Sequence, residues 1–280
     1  SPSRGLGDVY KRQFSEDTDR LTFIRRAFFD LVGLPPAPRE IESFLADAQP
    51  SARERLIDRL LASPHYGERW GRHWLDAAGY VDNVSFDGDL TFKQLHDGIW
   101  RYRDYVVRAF NSNKPFNRFL LEQLAGDELV DWRRAEIFTP EILEGLTATG
   151  YLRSIEDHTN AEQYGIAQRY DVLFRTMEMV STSLLGLTMD CCRCHDHKSD
   201  PIPQRDYYRL MAFFEPALNV HEWIEPKSRF LANITPTERA LIDQHNAEID
   251  THIEQLQTCL LYTSDAADEG LGVDLGGRRI

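Results

Sequence analysis

Cysteine is scarce in this chain and crowded where it occurs: there are four in 280 residues, and three of them are Cys191, Cys192 and Cys194. Three thiols within four positions do not make a disulfide framework. Long apolar runs are missing too, so no segment reaches the length of a membrane span. Basic residues are outnumbered, with 32 Lys and Arg against 45 Asp and Glu and a net charge of −13. An acidic surface without a basic stripe repels a phosphate backbone, which excludes nucleic acid as a first partner. No internal repeat is found, and no strand alternation is strong enough for a sheet.

Both ends read as translated oligonucleotide adapter. The stretch "SRGLGDVYKRQ" covers Ser3–Gln13, and "CLLYTS", Cys259–Ser264, back-translates to a near reverse complement of the codons for "DVYKRQ". Unrelated termini would not encode inverted copies of one oligonucleotide, so residues 1–13 and 259–280 are set aside from fold reasoning. The natural segment is expected to span 14–258, and the sequence is silent on a signal peptide. The flanks hold five basic and five acidic residues, so the charge stays at −13 without them. Cys259 belongs to the C-terminal flank. Residues 14–218 are expected to form one helical domain, and 219–258 a linker with the start of a coiled-coil arm.

What is present is mostly helical periodicity broken by proline and glycine. Asp19–Val32 is apolar on one side and is stopped by "GLPPAP". Helices are predicted over Arg39–Ala46 and Ala52–Ala62. In "SPHYGERWGRHWLDAAGYVD", Tyr66, Trp70, Trp74, Ala77 and Val81 fall at helical spacing and predict a buried aromatic helix. Asp82–Asp97, rich in Asp and Gly, reads as a functional or mobile loop. Asp82, Asp87 and Asp89 lack the ordered ligand ladder of a calcium loop. Ile99, Tyr102, Val106 and Ala109 predict another helix, followed by Phe116–Leu124 and Pro140–Tyr151. The clearest helix runs from Gln163 to Leu187, with Ile166, Tyr170, Leu173, Met177, Val180, Leu184 and Leu187 on one stripe. A short helix carries Tyr207, Leu210, Met211 and Phe214, and "NVHEWIE" reads as a lone strand or loop. The last helix begins at "TPTE", Thr235–Glu238. Ile242, Ile249, Ile253 and Leu256 then keep a heptad-like rhythm, with His245 between them. The fold class expected is mostly α: a multi-helical single domain with a C-terminal coiled-coil-like helix.

The chemistry concentrates in "DCCRCHDHKSDPIPQRDYY", Asp190–Tyr208. Cys191, Cys194 and His195 form C-x-x-C-H, the spacing that attaches haem c: two thiols three apart reach two vinyl groups, and the next residue offers an imidazole to iron. Cys192 would be a bystander. His73, beside Trp70 and Trp74, is the candidate sixth ligand, while Met177 reads as core and Met189 stands too close to the turn. The competing reading is zinc held by Cys191, Cys194, His195 and His197, completed if needed by His158 or His221. A third reading is a scaffold whose cysteine turn only locks two helices. Asp196, Asp200 and Asp206 can orient imidazoles, although Asp200 and Asp206 read better as caps around the proline turn.

A resemblance covers nearly all of Leu21–Phe214. "RRAFFDLVGLPPAP", "LLASPHYGERWGRHWLDAAGY", "WRYRDYVVRAFN", "PFNRFLLEQLAGDEL", "ATGYLR" and "LLGLTMDCCRCHDHKSDPIPQRDYYRLMAFF" together resemble the planctomycete secreted domain, also called domain of unknown function 1549. The resemblance implies a secreted or periplasmic protein, often with a fused upstream c-type cytochrome domain and a further domain beyond a coiled linker. A redox partner or that cytochrome domain is the expected partner, and a polysaccharide is the partner in the zinc alternative, where the aromatic helix and the loop near Asp87 would face it. The family's C-x-x-C-H-x-H-K-x-D-P-I block carries over onto Cys191, Cys194, His195, His197, Lys198, Asp200, Pro201 and Ile202, and its tail onto Gln204, Asp206, Tyr207 and Tyr208. Departures are Cys192 in place of a small residue, Ser199 in place of an aromatic, and Gly79 in place of an arginine that could meet a haem propionate. The resemblance assigns no reaction.

Overall fold

A computed structural model of the chain describes residues 16–85, 93–95, 98–157, 159, 165–229 and 236–269. The stretches 1–13 and 270–280 read as adapter, and also His158, Asp87 and Asp89, lie outside the described residues. The chain divides into two units, one comprising the residues up to Trp132 with Pro140–Phe230, the other Arg133–Thr139 with the residues from Leu231.

The first unit opens with three helices, α1 (Arg20–Leu31), α2 (Pro38–Ala46) and α3 (Ala52–Leu61). Asp19 caps α1 by accepting the Thr22 N–H at 2.9 Å, and Pro38 starts α2 at the position where its missing N–H costs nothing. Their shared core is Ile24, Phe28, Val32, Phe44, Leu56 and Leu60.

Helices α4 (Pro64–Ala77) and α5 (Trp100–Asn111) form the closest pair in the fold. Here the aromatic stripe expected from spacing is corrected. The buried face of α4 is Gly67, Gly71, Trp74 and Ala78, while Trp70 and Val81 are more than a third exposed. Hydrophobic periodicity cannot register glycine, yet glycine lets the helices touch: a Cβ on Gly67 would stand 2.4 Å from the Val107 carbonyl oxygen. The Gly67 N–H also donates to Asn111 Oδ1 at 2.7 Å. Gly79, at φ +63, closes α4. Its N–H donates to Asp76 O and that of Tyr80 to Leu75 O, the paired bonds of a left-handed helix stop. That cap accounts for a glycine at 79.

Between α4 and α5 the described residues include a short antiparallel ladder, β1 (Asn83–Ser85) with β2 (Lys93–Leu95), in register Val84 to Gln94. The sequence had suggested only loop. Helices α6 (Phe116–Ala125) and α7 (Pro140–Ala148) complete an aromatic core of Trp74, Tyr102, Tyr105, Phe119 and Tyr151. Trp74 and Phe119 meet edge-to-face at 4.9 Å, a geometry that adds about 1 kcal/mol beyond burial. Polar atoms in this core are mostly paired, the Gln123 amide nitrogen being a buried exception. Trp74 Nε1 donates to Tyr102 Oη at 3.0 Å and Gln123 Oε1 at 3.1 Å. Glu122 accepts from Tyr105, Lys114 and Arg118 at 2.8, 2.5 and 2.6 Å.

Helix α8 (Ile166–Val180) buries Leu173 and Met177, but it is shorter than its sequence stripe, and Ile166 is 47% exposed. From Ser181 to Leu185 the backbone widens into a π turn. The cause lies in three consecutive hydroxyls: Ser181 and Thr182 donate to Glu178 O at 3.1 and 2.7 Å, and Ser183 to Met179 O at 2.5 Å. Side-chain donors compete there with the backbone ladder and loosen it. After the cysteine turn, α9 (Gln204–Phe214) packs on α8, and "NVHEWIE" runs as turn and loop without a strand.

The second unit contains α10 (Pro236–Glu269), one continuous helix. Leu241, Ile242, Ile249, Ile253 and Leu256 are all exposed along it, as a heptad stripe in a lone helix would be. No described helix is long and apolar enough to cross a membrane.

Candidate functional site

The cysteine motif folds as a 3₁₀ turn over Asp190–Arg193, four residues beyond Gly186, which ends the π turn. The Cys191 carbonyl accepts the N–H groups of both Cys194 and His195, each at 3.3 Å. In a 3₁₀ turn, side chains three apart eclipse, so Cys191 and Cys194 project from the same side and Cys192 from another. Exposure follows that division. Cys191 and Cys194 are exposed free thiols, whereas Cys192 is wholly buried among Met177, Met189 and Tyr207. Burial pushes the Cys192 thiol up, with neighbouring Cys191 acting in the same direction, and a raised thiol is a poor nucleophile.

The two histidines divide in the same way. His197 has a side chain only 9% exposed, and its Nδ1 faces the N–H of Asp200 at 2.9 Å and of Ser199 at 3.3 Å. Two donors aimed at one nitrogen make that nitrogen an acceptor, so the ring's proton sits on Nε2. The same assignment decides the contact between His197 Nδ1 and Asp200 Oδ2 at 3.2 Å: an acceptor nitrogen does not donate to a carboxylate, so this is proximity and not an ion pair. His195 is exposed, and its Nδ1 lies 2.7 Å from the Asp196 carbonyl oxygen. A carbonyl can only accept, so Nδ1 carries the proton and Nε2 keeps a free lone pair. This is the tautomer in which an imidazole ligates a metal through Nε2.

Three contacts with α9 hold the turn. Asp196 Oδ1 accepts the Gln204 N–H at 2.8 Å and caps the helix. The Arg193 carbonyl accepts from Gln204 Nε2 at 3.1 Å and Tyr208 Oη at 2.9 Å. The cap is therefore Asp196. Asp200 instead turns the chain back, its carbonyl accepting the Ile202 N–H at 2.8 Å, and Asp206 pairs with Arg209 at 2.9 Å within α9. The Arg193 guanidinium lies 3.8 Å from the centroid of the Phe174 ring and ties the turn to α8.

The remaining candidates lie apart from the turn. His73 is exposed on α4, with its ring edge-on to Trp70 at 5.4 Å. The Trp70 indole N–H donates to Asp30 O of α1 at 3.1 Å. No hydrogen bond or ring contact among the described residues joins His73 to the cysteine turn. His221 is exposed, and its backbone N–H bonds to Asn219 Oδ1 at 3.0 Å. Among the described residues no three His, Cys, Asp or Glu side chains converge to hold a metal ion. Cys191, Cys194, His195 and His197 are not gathered around one point here, and the Nδ1 of His197 is taken by its turn.

A mostly helical domain presenting one surface C-x-x-C-H turn is the class of protein this geometry defines. The chain belongs to the PSCyt2 family, described as protein of unknown function (DUF1549), whose family model matches residues 9–218. No curated protein and no solved structure matches the chain.

Proposed function

We propose that Cys191 and Cys194 carry a covalently attached haem c with His195 as axial ligand, and that the domain serves electron transfer in an exported protein. The observation that carries this reading is the division of the motif. The three side chains that haem attachment needs are exposed, with both thiols free and His195 Nε2 open, while Cys192 and His197, which it does not need, are used by the fold. The His195 tautomer supports it further, since Nδ1–H is anchored on Asp196 and Nε2 is left to bind iron. Each attachment adds a thiol S–H across a vinyl group. A carbon–sulfur bond forms, the hydrogen goes to the adjacent vinyl carbon, and no electrons are gained or lost. The bound haem supplies a reversible one-electron iron couple, and the thioethers retain it outside the cytoplasm. His73 is not required by this reading.

The test is a pyridine haemochrome spectrum of the chain exported to a periplasm equipped for cytochrome c maturation, with Cys194→Ala beside it. A haem that survives denaturation in the parent chain and shifts to the single-thioether spectrum in the variant is expected. A folded, colourless parent protein overturns the proposal.

A further inference from the structure

A cleft of about 340 Å³ lies between α5 and α7, lined in part by Trp100, Arg101, Arg108, Leu143, Glu144 and Thr147. Its volume is at the small end of ligand sites, which run from about 300 to 1,000 Å³, and suits one or two rings. Trp100, the first residue of α5, is 48% exposed, a large apolar surface for a helix start. The Arg101 guanidinium sits 5.2 Å from the centroid of the Trp100 ring. Arg108 follows seven residues later, about 10 Å along the same helix. Neither arginine makes an ion pair among the described residues.

Two unpaired cations in one cleft run against a protein whose net charge is −13. The carboxylate in the lining does not cancel them, because Glu144 is already held by Lys114 at 3.3 Å. A second cleft, of about 330 Å³ beside α8, shows the contrast: Asp76, Glu156 and Glu178 line it, and its Arg175 is tied to Asp171 at 2.9 Å. Of these two clefts, the first is the one that can attract an anion.

We propose that the Trp100–Arg108 cleft binds an anionic saccharide ring, one bearing a carboxylate or a sulfate. The indole offers a flat face for the ring's C–H groups, and Arg101 and Arg108 offer forked donors for its acidic group. Glu144 and Thr147 supply hydroxyl partners that a purely aromatic acid would not use. The site is separate from the cysteine turn, so it is testable on a chain without haem.

The test is calorimetric titration of the chain produced in a cytoplasm without cytochrome c maturation, where no haem is attached, with four probes: an oligogalacturonate, a sulfated oligosaccharide of similar length, a neutral one, and benzoate. Binding of one or both acidic oligosaccharides, weakened by salt and lost at least tenfold in Trp100→Ala and in Arg108→Ala, is expected. Which of the two binds identifies the acidic group. Both substituted side chains are exposed, so unchanged thermal melts will show that the fold is intact. Equal binding in parent and variants, no binding of either acidic oligosaccharide, or equal affinity for the neutral oligosaccharide or benzoate overturns the proposal.

Discussion

The Cys192 thiol donates to the Ile202 carbonyl across 3.5 Å, joining the cysteine turn to the chain that leads into α9. The same carbonyl accepts the His197 N–H at 2.9 Å. Cys192 is therefore part of the packing, and its substitution separates stability from chemistry. Cys192→Ala is expected to lower unfolding free energy by about 1–2 kcal/mol in urea, from the lost sulfur contacts and weak hydrogen bond, while both thioethers still form. Cys194→Ala should do the reverse. If Cys192→Ala instead removed haem without loss of stability, the assignment of roles within the motif would be wrong.

The histidines give a second separation. His197→Ala leaves two backbone N–H groups of the turn without their acceptor and is expected to cost about 1–3 kcal/mol with attached haem retained. His195→Ala should leave stability near that of the parent and keep both thioethers, but alter the iron's coordination and shift the Soret band. Absorption spectra and urea midpoints of the two variants read both effects.

Gly67 and Gly71 should respond oppositely to alanine. At Gly67 the new methyl meets the Val107 carbonyl oxygen at 2.4 Å and the Asn111 amide at 2.6 Å, and backbone cannot yield there cheaply. A loss of about 3 kcal/mol is expected. At Gly71 the nearest atom is a Val106 methyl at 3.4 Å, an ordinary contact, so improved helix propensity should leave the protein unchanged or up to about 1 kcal/mol more stable. Thermal melts of the two variants distinguish these outcomes.

Acid sensitivity should trace to Glu122. Burial alone would raise its carboxyl, but hydrogen bonds from Lys114, Tyr105 and Arg118 outweigh burial and hold it below its ordinary value of 4.5. The folded state thus binds this proton less tightly than the unfolded chain. The resulting stabilisation is complete above about pH 4.5 and is lost as pH falls through the folded value. Glu122→Gln should cost about 3 kcal/mol at neutral pH, because Lys114 is largely buried and loses its nearest carboxylate. It should also flatten the acid limb of a plot of urea midpoint against pH. An unchanged limb would assign acid unfolding to other carboxylates.

Much of this was legible from spacing. Helices α1 to α3 and α5 to α7 follow apolar periodicity and proline stops, and C-x-x-C-H stands out as a motif. What spacing could not supply was commitment. That Cys192 is buried and His197 is an acceptor depends on Ile202 and Asp200 folding back, a contact made by the turn and not by any period. The glycine face of α4 was missed for a related reason, since its signal is the absence of a side chain. The early end of α8 did leave a trace, the consecutive hydroxyls of Ser181, Thr182 and Ser183. The cleft at Trp100 left only an exposed aromatic beside an arginine, which gains meaning once α7 lies opposite.

The core beneath the cysteine turn closes on Met177, Met189, Cys192 and Tyr207 without enclosing Cys191, Cys194 or His195. Packing of this core therefore does not depend on what the three exposed side chains bind. The polypeptide reaches its packed state with both reactive sulfurs still in solvent, so the surroundings, not the fold, decide what they meet first. In an oxidising compartment Cys191 and Cys194 can join in a disulfide, with an external oxidant taking their two electrons, and a ligand that arrives late would find both thiols spent.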